Sequence, residues 1–398
     1  MIINPYAEVN WETDTPVPGI THAHCRRPVY TQALIDRSVP NLGEKFFLCM
    51  SNYYPSSPTY PLLEPENLRD LPEREKSLWC ANDAEMAAWN GVGNVLPASL
   101  REYVEALDQD IPGLPGVKYS DVIVEAPNAE HHNFRVNGSD PMAYNRWHMN
   151  SVGSMYATGW AEKDEDADHQ PGARIEWQDA IDGMLENLLY EDGGGVTINH
   201  PLWSGRVHLP FKLICEALDY DPRVLGVEIY SDGDRYRGRN IWTNSAIADS
   251  ILATGRRCWL FAVTDHAQEV AEERQRWLGI NVLLVPVATQ HELLKAYRDG
   301  RFYAKLRPDT ALKFTGISFD GGSIRVTTTN AERIRLVLDG REMSAAGPSA
   351  SWNVTGNHVY CRVIAQTGQD YDYILSNPIM LGGTAKKQVN DDIILLMG

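Results

Sequence analysis

Three histidine motifs, each closing a short apolar run, constrain this chain more than any other feature in it. They are His22-Ala23-His24, Asn199-His200-Pro201 and Thr264-Asp265-His266. The runs that precede them, such as Val196-Thr197-Ile198 and Cys258 to Val263, read as buried strands. Amphipathic stretches over 176–190, 209–219, 242–254 and 290–299 read as helices, the last two closed by Gly255 and Gly300. Alternating β and α elements with continuously apolar strands predict a mostly parallel α/β sheet. Strand-end histidines arriving in series predict that it closes into a barrel with its chemistry at one mouth. Imidazole and carboxylate gathered there are ligands for cations of the zinc and manganese class. The pattern predicts a metal-dependent hydrolase.

Between these motifs the chain offers further strand-end groups. Glu44 to Met50 reads as a short strand running into Ser51-Asn52-Tyr53-Tyr54-Pro55. Val117 to Glu125 reads as a strand ending in a carboxylate, and 130–136 as another short strand. Residues 57–116 and 137–172 read as insertions, the second long enough to be a lid. Past Arg307-Pro308 the character changes to short alternating runs separated by turns, which predicts a small all-β sandwich. The expected organisation is a barrel over 1–307, a sandwich over 308–385 and a tail over 386–398.

Composition narrows the partners. The formal net charge of −17, with no basic stripe, argues against nucleic acid. No run approaches the ~18 apolar residues of a membrane span, and the first residues lack the basic and apolar regions of a signal peptide. The six cysteines have no paired metal-ligand spacing and read as reduced, mostly buried thiols. The expectation is a cytoplasmic enzyme acting on a small molecule, with the oligomeric state left open.

In order along the chain, His22-Ala23-His24, Glu125, His131-His132-Asn133, Asn199-His200-Pro201, Gly226-Val227-Glu228-Ile229 and Thr264-Asp265-His266 resemble the motif series of the PHP (polymerase and histidinol phosphatase) superfamily. Gly300-Arg301-Phe302-Tyr303-Ala304 and the later Ser376-Asn377-Pro378-Ile379 look like the carbaryl-hydrolase-like branch with its appended β-domain. The resemblance implies a distorted (β/α)7 TIM-like barrel followed by an Ig-like sandwich. It implies that one cation takes His22, His24, Glu125 and Asp265, and that a second shares Glu125 and takes His131 and His200. His132 is the alternative to His131, which the His-x-Asn spacing favours. The Asp-His pair usual at the second strand is replaced by Asn52-Tyr53, so two divalent metals (zinc, manganese or iron) are expected rather than three.

The implied activity is phosphoester hydrolysis by metal-activated hydroxide at a binuclear site. Asp265, His266 and Tyr53 are the candidate catalytic groups. Arg26, Arg206 and His148 are the candidate contacts to a substrate expected to be anionic. Glu228 reads as a carboxylate bonding neighbouring loops, with a site role as its alternative. The same metal pair would serve a carbamate, ester or amide hydrolase. A non-catalytic, metal-stabilised binding scaffold is the reading outside enzymology.

Overall fold

The computed structural model describes residues 1–23, 44–49, 51, 109–111, 113–131, 134–137, 147–156, 176–201, 209–231, 241–265, 279–369 and 371–385. His24, Arg26, Tyr53, His132, Arg206 and His266 lie outside them. The chain folds as a mixed α/β structure rich in sheet. The strands before the C-terminal region are β1 (Thr15–Ile20), β2 (Phe46–Leu48), β3 (Ile123–Glu125), β4 (Glu130–His131), β5 (Met149–Val152), β6 (Gly195–Ile198), β7 (Val224–Ser231), β8 (Trp259–Val263), β9 (Ile280–Val285) and β10 (Phe302–Lys305). The helices are α1 (Tyr119–Val122), α2 (Trp177–Glu186), α3 (Phe211–Tyr220), α4 (Ile241–Ala253) and α5 (Gln290–Asp299). No helix among the described residues is long and apolar enough to cross a membrane.

Strands β6, β7 and β8 pair in parallel, with α3 and α4 as their crossovers. Every residue of the three is buried, which is why they read as largely apolar runs rather than alternating ones. Helix α2 buries Trp177, Ala180, Ile181, Met184 and Leu185, the i, i+3, i+4, i+7, i+8 stripe of a helix lying on a sheet. Helix α5 starts at Thr289, whose side chain accepts from the Glu292 amide. It stops at Gly300, where φ is 74° and a Cβ would stand 2.6 Å from the Trp259 indole. Only glycine meets both conditions.

The topology corrects the expected ring of consecutive parallel strands. Two parallel groups exist, β1-β2-β3 and β6-β7-β8, but antiparallel pairs join the rest: β1 with β9, β9 with β10, β4 with β5 and β5 with β6. Where the backbone ladder between β8 and β9 fails, side-chain amides replace it. Asn281 accepts from the Ala262 amide at 3.1 Å and donates to the Ala262 carbonyl and to Thr21. Asn377 accepts from the Leu260 amide at 2.7 Å and donates to the Gly300 and Phe302 carbonyls. Both are at most 1% exposed, so each amide meets the bonding demand of a buried polar group.

Two local expectations are also corrected. The first half of the run 117–125 is the helical turn α1, because Asp121 accepts from the Lys118 amide and closes a turn before the strand begins. The segment 137–172, expected to be an insertion, contains the core strand β5. Its sequence, Met-Asn-Ser-Val, lacks apolar alternation because Asn150 and Ser151 are buried polar residues.

The C-terminal strands are β11 (Phe314–Phe319), β12 (Ser323–Thr328), β13 (Arg333–Leu338), β14 (Arg341–Ala346), β15 (Ser349–Asn353), β16 (Tyr360–Gln366), β17 (Tyr373–Ser376) and β18 (Ile379–Met380). Strands β11, β12 and β15 form one antiparallel sheet. Strands β14-β13-β16-β17 continue through β10 and β9 to β1, so the C-terminal strands extend the sheet that carries the first histidine motif. One face of β13 and β16 packs toward β11 and β12 through Leu336, Val363, Ile317 and Ile324. The other places Ile364 with Ile247 and Ile251 of α4 in a separate core.

Candidate metal centre

The parallel strands deliver their polar groups just beyond their C-terminal ends. His22 lies two residues past β1, His200 two past β6 and Asp265 two past β8. Chain crossing fixes their approach: the Asp265 amide donates to the His22 carbonyl at 2.9 Å, and Ala23 bridges Asp265. His200 and Asp265 both have positive φ, 20° and 54°. Such backbone is strained for non-glycine residues and is found where side-chain direction matters more than local comfort.

Six titratable side chains meet there. His22 Nε2 stands 3.4 Å from Asp265 Oδ1 and 3.5 Å from Glu130 Oε1. His200 Nε2 lies 3.2 Å from Glu130 Oε1 and 4.0 Å from Asp265 Oδ2. His148 Nδ1 lies 3.0 Å from Glu130 Oε1. Behind them Glu228 accepts from His22 Nδ1 at 2.7 Å and from the His200 amide at 2.9 Å. All six are at most 3% exposed.

His22, His200 and Asp265 form one group able to hold a cation, and Glu130, His148 and His200 a second that shares His200. The donor set suits a divalent metal. Ligands about 2.0–2.2 Å from one ion stand roughly 3–3.6 Å apart, and most of the separations above fall near that range. The bond from His22 Nδ1 to Glu228 fixes the tautomer and presents Nε2 to the other donors, the usual carboxylate–histidine–metal relay. Asn199 donates to Glu130 at 2.9 Å and Ser231 to Asp265 at 3.3 Å, orienting both carboxylates.

Charge makes the same point. Glu130, Asp265 and Glu228 bring three carboxylates into a dry site, and buried charge persists only when compensated. In the metal-free protein the imidazoles compensate. Burial by itself lowers the His22 pKa, but Glu228, Glu130 and Asp265 outweigh it and lift it from 6.5 to about 10. His200 is raised too, burial being overcome by its hydrogen bond to Glu130 and by Asp265 and Glu228. A proton held more tightly when folded stabilises the fold fully below the unfolded pKa and is lost as pH rises through the folded one. The metal-free protein should therefore lose stability between about pH 6.5 and 10, read as a falling urea midpoint. Metal uptake at neutral pH should release protons, measurable by calorimetry in buffers of different ionisation enthalpy.

The structure places the remaining sequence-derived candidates differently. Glu125 ends β3 half-buried and belongs to neither donor group; Glu130 supplies the carboxylate of one group, and the residue the two groups share is His200. His131 is buried, but its Nε2 bonds Ser151 Oγ at 2.9 Å and its ring stacks on Tyr156. Successive residues of a strand face opposite sides, so Glu130 and His131 cannot both point at one site. His148, expected to contact substrate from a lid, lies among the donors. Glu130 was missed. The available signal was a carboxylate beside a histidine pair, in a segment too short for a solvent-facing strand. Glu228 had a clearer one: a lone charge inside the apolar run Val224 to Tyr230, which burial obliges to find partners.

No family model matches the chain, and no curated protein matches it. A crystal structure of a two-domain protein from Bacteroides vulgatus ATCC 8482, containing a predicted PHP-like metal-dependent phosphoesterase, aligns with 95% of this chain and 90% of its own. The identity is 10% and the TM-score 0.41.

Proposed function

We propose that this protein is a metal-dependent hydrolase acting on phosphoesters, with a distorted PHP-type barrel and an appended Ig-like sandwich. One observation carries the reading: His22, His200 and Asp265, and Glu130, His148 and His200, converge as two buried donor groups that share His200, with Glu228 locking the first histidine from behind. A purely structural polar cluster needs each group satisfied once. Here the Glu130 Oε1 oxygen alone receives Asn199, His148 and His200.

We assign His22, His200, Asp265, Glu130 and His148 as the ligands. A bound divalent cation would supply Lewis acidity and water activation. The chain's own residues do the rest. Glu228 accepts from His22 Nδ1 and so aims Nε2 at the cation, Asn199 holds the Glu130 carboxylate in one orientation, and Ser231 does the same for Asp265. The burial of these groups strengthens every electrostatic contact to a developing negative charge.

The test is elemental analysis of protein purified without added metal or chelator, followed by turnover of aryl phosphomonoesters and diesters. About two divalent ions per chain and phosphate release that a chelator stops would agree with the proposal. Protein that neither retains nor takes up zinc, manganese or iron would overturn it.

A further inference from the structure

A cleft of about 950 Å³ opens at the entry of β1, the strand end opposite the one that leads to His22. Its floor follows from register. Pro18 pairs with Val282, Val282 with Tyr303 and Ile280 with Lys305, so these side chains share one face of the antiparallel β1-β9-β10 patch. The loop Pro308–Lys313 forms one wall, and Glu44 and Lys45 stand on the other side.

Lys305 is the anomaly in this cleft. It is only 7% exposed, and its ammonium donates to the carbonyls of Thr310 at 2.6 Å and Leu312 at 2.9 Å. Among the described residues no carboxylate lies within ion-pair distance of it. The two nearby acids are engaged elsewhere: Asp309 pairs with Arg307 at 2.7 Å, and Asp372 accepts from Thr310 and Thr367. Lysine is almost never buried without a counter-charge, because desolvating an ammonium is expensive. Two carbonyls satisfy two of its three donors and none of its charge. Consistent with this, burial pulls the Lys305 pKa down to about 8, against the partial support of Asp372 and Asp309. Tyr303, 1% exposed on the same floor, makes no hydrogen bond to any described residue through its hydroxyl. Lys313 adds a second positive charge at the rim.

We propose that this cleft is a second ligand site, separate from the metal centre, that binds a small organic carboxylate with an apolar body. The carboxylate takes the third donor and the charge of Lys305, and Tyr303 donates to it. The body lies on Pro18, Ile280 and Val282. Glu44 and Asp309 at the rim disfavour more highly charged anions.

Benzoate is the probe, titrated into the intact chain and followed by calorimetry or by amide chemical shifts of residues 280–283 and 303–313. The expected result is saturable binding that survives His22→Ala, weakens at least about thirtyfold in Lys305→Met and falls severalfold in the exposed-rim variant Lys313→Glu. Lys313→Glu leaves the Lys305 clip to Thr310 and Leu312 in place, so it reports on the cleft even where Lys305→Met loosens the loop. No binding up to about 10 mM, binding lost in His22→Ala, or equal binding by wild type and both lysine variants would overturn the proposal. None of these outcomes depends on whether the metal centre hydrolyses phosphoesters.

Discussion

If the proposed metal centre is right, Glu130→Ala should abolish metal uptake and turnover together, while Glu125→Ala should leave both close to wild type. The two glutamates lie five positions apart, Glu125 closing β3 and Glu130 opening β4, and only geometry separates them. Glu130 Oε1 lies 3.0 to 3.5 Å from His148, His200 and His22, whereas Glu125 is half-buried and outside both donor groups. Losing Glu130 removes a charged donor and leaves three imidazoles and the Asn199 amide facing a void. Its effect should exceed the roughly 10–100-fold loss of metal affinity typical of removing a partner behind a ligand. Glu228→Gln provides that reference. It keeps the shape and a hydrogen bond to His22 but removes the charge, and should fall within the 10–100-fold range. Metal affinity by competition with a chromophoric chelator, alongside kcat/KM, measures all three. Equal losses in Glu125→Ala and Glu130→Ala would mean that the ligand set is misassigned.

This contrast also shows what the sequence makes legible. Fully buried parallel strands favour predominantly apolar runs, and β6, β7 and β8 each supply one, so His200 and Asp265 could be placed at strand ends from the chain alone. Helices α2, α3 and α5 announce themselves by their apolar stripes. The strand that escapes is the one whose inward face is polar. Strand β5 carries Asn150 and Ser151 into the interior, whereas β4, Glu130–His131, falls within the short strand read over 130–136. Strand β5 has no hydrophobic period to read, because its buried polar residues erase the pattern. The mixed direction of the sheets escaped for another reason. Pairing of β9 with β1 is set by long-range contacts, and its link to β8 by Asn281 across the gap, and neither leaves a local mark.

The second large effect concerns how the C-terminal strands hold the rest of the fold. Arg362 of β16 is 3% exposed and grips Asp249 of α4 through two bonds of 2.7 Å, with the Tyr360 hydroxyl adding a third at 2.9 Å. Asp249→Ala should destabilise the protein by about 3–5 kcal/mol, because it strands a buried guanidinium rather than merely removing a bond. Arg362→Met should cost less: the remaining carboxylate is 22% exposed and still accepts from Tyr360. The informative variant is the double one. If the loss in Asp249→Ala is the desolvation of an orphaned charge, Asp249→Ala/Arg362→Met should recover most of it. The methionine stem still covers the apolar surface shared by Ile247, Ile251 and Ile364. Urea midpoints of the four proteins close the cycle. Recovery would show that the pair sets how β16 sits on α4 while apolar burial holds the two together. A double variant no more stable than Asp249→Ala would instead mean that the ion pair itself supplies the attraction between them, and losses that simply add would mean that the two residues are not coupled.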